Sequence, residues 1–217
     1  MDSSKDMSLL LKEEEWDLLL AGEGAQTWYG IAAGDGIKSK NEIYRTLAAL
    51  YQKGHVDWPE KKVCIKEPVK SMITIAGKAK YCMIVTKESE STSYYFFRGK
   101  VLKVSRDHRQ PKRMCCTLFT KEELLKYLEE EGYLGTKGAD FPETENGNIA
   151  FLLKEKKYLE EISRFSFVSV KDGKQLESFE IGKAGIFTFI SFEDSYEKKI
   201  PYQNEWCIRK LNEWMRR

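Results

Sequence analysis

Between Lys80 and Phe119 the chain adopts a strand period. Four runs (Lys80–Thr86, Ser93–Phe97, Val101–Ser105 and Met114–Phe119) are rich in aromatic and β-branched residues and are divided by short polar breaks. Such residues fit a pleated, half-buried surface, and short breaks connect neighbouring strands as hairpins. A chain with this segment lays down an antiparallel meander, and its other segments must supply helices to cover it.

Those helices are legible on both sides of the meander. Thr120-Lys121-Glu122-Glu123 caps a helix whose apolar side is Leu124, Leu125, Tyr127 and Leu128, ended by Gly132. The order then recurs. A glycine-rich linker covers 135–147, and a helix is expected from Ile149 to Ile162, with a strand start at Ile149–Leu153 as the alternative. Strands follow at Phe165–Val170, Leu176–Ile181 and Ile186–Phe192, the first two joined by Asp172-Gly173 in a turn of type I′ character. An amphipathic helix, Asn204–Met215, closes the chain. The expected fold class is α+β, with two pseudo-equivalent halves, each an antiparallel meander with flanking helices.

Ahead of the meander lies a helical unit. Lys12-Glu13-Glu14-Glu15-Trp16 opens a helix with acids in its first turn, where the macrodipole favours them. Gln26–Ala33 reads as a second short helix. Ser39, with Glu42 three residues on, caps a third that ends at Gly54. A small hairpin at His55–Ile65 follows, and a weaker helix at 66–78. Three helices and a hairpin is the order of a winged helix. The domain reading is 1–66 winged-helix-like, 67–134 first α+β half, 135–147 linker and 148–217 second half, together making one body.

Charge narrows the partners. The net charge of the 217 residues is only +2, but it is unevenly spread. Residues 1–70 carry ten Lys/Arg and twelve Asp/Glu, whereas residues 98–113 carry seven Lys/Arg against Asp107. Duplex DNA binding requires cations to neutralise phosphates, so the acidic N-terminal unit is a poor reader of DNA. The start of the chain is polar and mixed in charge, and no apolar run is long enough for a membrane helix. Five cysteines, Cys64, Cys82, Cys115, Cys116 and Cys207, include no C-x-x-C pair and read as reduced core thiols of a cytoplasmic protein. In a strand Cys115 and Cys116 point to opposite faces, one to the core and one towards the surface.

No G-x-S-x-G elbow, Walker loop or G-x-G-x-x-G after a strand is present, and His55 and His108 lie at no metal-ligand spacing. The acid runs Glu13–Glu15 and Glu129–Glu131 read as solvated helix faces. The expectation is therefore a non-catalytic protein without cofactor or metal.

Leu9-Leu10-Leu11-Lys12-Glu13-Glu14-Glu15-Trp16, Lys53-Gly54-His55-Val56-Asp57, the strand ending at Phe97-Arg98-Gly99 and the helix Phe119–Leu125 form a recognisable series. It resembles the ESX (type VII) secretion accessory proteins of the PE–PPE chaperone kind, in a distant Gram-positive version. The resemblance implies an opening strand before the first helix and pseudo-twofold α+β halves. It also implies a client-binding loop near Glu88–Thr92 and a second contact near the C-terminal helix. The function expected is that of a bacterial protein-binding adaptor or secretion chaperone, holding a client such as a small helical secreted protein in the cytoplasm. A second copy of the chain is the alternative partner, and a winged-helix transcription regulator is the alternative function. The candidate partner-binding residues are Trp206, Ile208 and Trp214 on the last helix, and Arg98, Lys100, Lys103, Arg106 and Arg109 in the basic run.

Overall fold

A computed structural model describes residues 8–24, 39–107, 109–136, 159–192 and 195–217. The expected helix at Gln26–Ala33, most of the 135–147 linker and the start of the Ile149–Ile162 helix lie outside the described residues. The chain is α+β. A nine-stranded sheet has the order β1-β7-β6-β5-β4-β8-β9-β10-β11, and a separate hairpin is β2-β3. The strands are β1 (Ser8–Lys12), β2 (Val56–Asp57), β3 (Cys64–Ile65), β4 (Tyr81–Lys87), β5 (Glu90–Phe97), β6 (Lys100–Asp107), β7 (Gln110–Thr120), β8 (Leu159–Ser169), β9 (Gln175–Ala184), β10 (Phe187–Phe192) and β11 (Ser195–Pro201). The helices are α1 (Glu13–Gly22), α2 (Lys40–Gln52), α3 (Val69–Lys78), α4 (Lys121–Glu130) and α5 (Asn204–Trp214). Each half is a four-strand meander followed by a helix: β4–β7 then α4, and β8–β11 then α5.

Contacts divide the chain into two compact units. The first takes residues up to Cys82 with Thr92–Thr120 and Ser169–Lys174, and the second takes Met83–Ser91, Lys121–Val168 and Gln175–Arg217. In the first unit β1, β7 and β6 run antiparallel, with Leu11 opposite Met114 and Val104 opposite Cys116. One face of these strands carries Leu11, Leu102, Val104, Met114 and Cys116, with Tyr95 of β5 beside Leu102, all fully buried. Helices α1 and α3 lie against it. The α3 sequence contains Ile73, Thr74 and Ile75, poor helix formers. Burial of Val69, Met72, Ile73, Ile75 and Ala76 overrides that propensity.

In the second unit β8, β9 and β10 pair antiparallel with Phe165 opposite Phe179 and Ile181 opposite Ile190. Helix α5 lies on the aromatic face of these strands. Trp214 stacks on Phe167 at 5.2 Å between ring centroids, and Trp206 meets Phe179 and Phe192 edge-on at 5.3 and 5.4 Å. Residues 159–162, expected as the end of a helix, are the first residues of β8.

The turns differ from expectation in one respect. A type I′ turn needs positive φ at both central residues. Asp172-Gly173 has it only at Gly173 (φ 67), and the loop is closed by the Ser169 and Gly173 amides instead. The pairs with positive φ throughout are Glu88-Ser89 (φ 50, 68) and Arg98-Gly99 (φ 49, 76). Among the described residues no helix is long and apolar enough to cross a membrane.

Candidate docking surfaces

The C-terminal helix is spoken for within its own unit. Trp214 is 1% exposed, and its Nε1 donates to Glu177 at 3.1 Å. Lys210 and Arg217 also pair with Glu177. Burial works to raise the Glu177 carboxyl, but hydrogen bonds from Lys210 and Trp214 and the two cations hold it below the usual range. Trp206 faces inward onto two phenylalanines, and Ile208 is half-buried. Trp214 is therefore a core residue rather than a client contact, whereas Trp206 is only half-buried.

The basic run is not one patch. Strand β6 has 8 residues, so about 23 Å separates its ends. Arg98 and Lys100 sit at the β5–β6 turn, where the Arg98 guanidinium lies 5.2 Å from the Phe97 ring centroid. Arg106 and Arg109 sit at the other end, with Lys112 and Arg113 on β7. There Arg106 reaches Glu13 at 3.5 Å, and the Arg109 amide is held by the Asp107 carboxylate at 2.9 Å. Lys103, midway, is half-buried and engaged. The segment Glu88–Thr92 is not an extended loop: Glu88-Ser89 is a tight turn, Glu90 begins β5 and Thr92 is buried.

Glu15 is the clearest departure from the solvated-face reading. Its side chain is 1% exposed and both carboxylate oxygens accept from Lys53 Nζ at 2.7 Å. Oε2 also accepts the Lys12 amide at 2.8 Å. The end of β1, the start of α1 and the end of α2 thus meet at one carboxylate. His55 lies nearby, its pKa lowered by burial and by Lys53, with Glu15 opposing. The other acid run lies at a helix C-terminus, which disfavours acids, and a cation compensates there: Lys87 Nζ donates to the Glu131 carbonyl at 2.7 Å. Cys116 is buried and Cys115 half-exposed, as alternation requires. Burial pushes the Cys82 and Cys207 thiols up to about 12, which keeps them as inert thiols.

Two features stand out on the surface. The first is aromatic. Tyr44 and Tyr51, seven residues apart on one side of α2, are 64% and 52% exposed. Trp58, after β2, is 38% exposed and its ring lies 5.9 Å from that of Tyr51. In the sequence Ile43, Leu47, Leu50 and Tyr51 give this helix one apolar face, which leads Tyr51 to be expected inside. The face that is buried instead is narrow, made by Thr46 and Leu50. The second feature is β1, at the edge of the sheet among the described residues, with Leu10 46% exposed. A cleft of about 680 Å³ in the second unit includes Glu129, Tyr202 and Asn204. Its polar groups are occupied with one another: the Tyr202 hydroxyl donates to Asn204 at 3.0 Å, and the Asn204 amide donates to Glu129 at 3.1 Å.

No protein-family model matches this sequence, and no curated protein matches it.

Proposed function

We propose that this protein is a non-catalytic adaptor that binds a client protein through the aromatic surface of α2 and the β2–β3 hairpin. The observation that carries the reading is the exposure of Tyr44, Tyr51 and Trp58 together. Tyr and Trp are enriched among residues that dominate binding energy, and a grouped apolar exposure of this kind marks interaction sites. The resemblance to type VII secretion accessory proteins supports the same class, with the client held in the cytoplasm before delivery.

The competing reading is a winged-helix DNA binder using α2. That helix and its cap residue offer Lys40, Arg45 and Lys53, and Lys53 is committed to Glu15. Two exposed cations beside two exposed tyrosines favour a protein partner over a phosphate backbone.

The test places a photo-crosslinking amino acid at Tyr44 in native cells, identifies the captured protein, and measures its affinity with purified components. Tyr51→Ala and Trp58→Ala are each expected to weaken that binding by at least about tenfold while the melting temperature stays within about 2 °C. Binding unaffected by both substitutions, or sequence-selective binding to duplex DNA lost in Arg45→Ala, overturns the reading.

A further inference from the structure

The two edges of the large sheet are built differently. β11 is interrupted where it meets β10, with a register shift between Ser191 and Phe192, and it ends in Pro201, which has no amide to donate. Bulges and prolines are the usual means of blunting an edge. β1 has neither. Its five residues pair with β7 in unbroken register, from Ser8 opposite Thr117 to Lys12 opposite Arg113.

The edge that β1 presents is defined by its backbone. The Lys12 amide goes to Glu15, so it does not point at β7. In an antiparallel pair, residues alternate between those bonded to the neighbour and those facing away. Ser8 and Leu10 therefore share the outward direction with Lys12, and their amides and carbonyls face the open side. Leu9 and Leu11 bond to β7.

Side chains on this edge are also ordered. Ser8, Leu10 and Lys12 lie on the face opposite buried Leu11, beside Thr117, Cys115 and Arg113 respectively. Along that face the surface reads small hydroxyl, apolar, then basic. The basic end is reinforced by the exposed Arg109 and Lys112 close to the β6–β7 turn.

We infer that β1 is an acceptor edge for an extended segment of a partner protein that adds as an antiparallel strand and carries an acid–x–apolar–x–small pattern. The antiparallel direction fixes the order. The partner residue opposite Lys12 and Arg113 comes first and is acidic, the residue over Leu10 comes two positions later and is apolar, and the residue beside Ser8 comes two later again. Backbone bonds to Ser8 and Leu10 hold the segment, and the same-face side chains select it. Lys12 already pairs with Glu14 at 3.8 Å, so it is the charge of Arg113, with the exposed Arg109 and Lys112, that favours an acidic segment over a second copy of the chain. The site is distinct from the aromatic surface of α2 and does not rest on that reading.

The experiment selects a displayed library of random nine-residue peptides on the full chain. Synthetic peptides with Asp-x-Ile-x-Ser and Lys-x-Ile-x-Ser cores are then measured by fluorescence anisotropy. The acid–x–apolar pattern is expected among selected peptides, with the Asp core binding about tenfold tighter than the Lys core. Leu10→Pro removes an outward amide without touching the bonds of Leu9 and Leu11 to β7, and should abolish the enrichment. Arg113→Glu, whose side chain is outside the core, should reverse the preference between the two cores. Peptides whose binding ignores both substitutions overturn the edge, and they leave the adaptor reading standing. A concentration-dependent dimer that Leu10→Pro dissolves assigns the edge to a second copy and overturns the acidic segment. No enrichment at all overturns the acceptor edge and leaves the adaptor reading to its own test at Tyr44, Tyr51 and Trp58.

Discussion

In the first unit a sheet face lined with Leu, Val, Met and Cys side chains is covered by two short helices, α1 and α3, and a carboxylate lies buried beside them at Glu15. In the second unit helix α5 sets two tryptophans on Phe167 and Phe179, Phe179 stacking in turn on Phe165, and the charges stay at the rim around Glu177. The first arrangement spreads its stability over many aliphatic contacts and one polar junction. The second concentrates it in a few stacked rings, each pair adding about 0.5–1.5 kcal/mol beyond the area it buries. The difference predicts that substitutions in the second unit act locally and strongly, and those in the first are absorbed.

The sharpest break is Trp214→Ala. It removes the stack on Phe167, a contact with Phe179 and the hydrogen bond to Glu177. A loss of about 4 kcal/mol is expected from urea denaturation. A loss below about 1 kcal/mol would show that α5 does not hold its unit together. Met72→Ala, at the centre of α3, should lose about 2–3 kcal/mol by the same measurement, because flexible aliphatic neighbours close part of the cavity. Should it match Trp214→Ala, the contrast between the cores disappears. Glu15→Gln leaves the Lys53 ammonium without its counter-charge. Since that ammonium is partly solvated, the expected loss is about 2 kcal/mol, and Glu15→Gln combined with Lys53→Met should recover part of it in a double-mutant cycle. Gly182→Ala probes the second unit away from the tryptophans. A Cβ there would lie 2.5 Å from Phe189 Cζ and 3.1 Å from the Glu160 carbonyl, and the expected cost is about 1–2 kcal/mol.

The smallest effect is in pH. Burial and Lys53 lower His55 from 6.5, so the folded chain favours the neutral ring and the unfolded chain binds the proton first. The contribution is therefore present in full above pH 6.5 and declines as pH falls below it towards the depressed folded value. The melting temperature should drop less between pH 7.5 and 5.5 in His55→Gln than in the parent chain. An equal or larger drop would remove His55 from the account.

Interior strands were readable because each has neighbours on two sides and a buried face that sets its residue types. Both edge strands escaped the pattern. β11, with its lysines and Pro201, lacks the hydrophobic signal, and in β1 three consecutive leucines hide the alternation between buried Leu11 and exposed Leu10. The start of β8 reads as helical because the register shifts between Glu161 and Ser163, which breaks the period of two. The aromatic surface was half visible: the composition of α2 named Tyr51, but only tertiary packing reveals that it faces outward. The charge count of residues 98–113 was accurate, yet a hairpin sends its members to opposite ends of β6. Glu15 had no sequence signal of burial, since Lys53 comes from 38 residues away.

The unequal edges of the sheet also set a limit on stoichiometry. A molecule with one receptive edge and one blunted edge cannot propagate. Whatever adds to β1, whether a partner's strand or another copy, meets no second acceptor at Pro201, so assembly through the sheet stops after a single addition. A complex formed by strand addition at β1 is thus finite as far as the described strands are concerned.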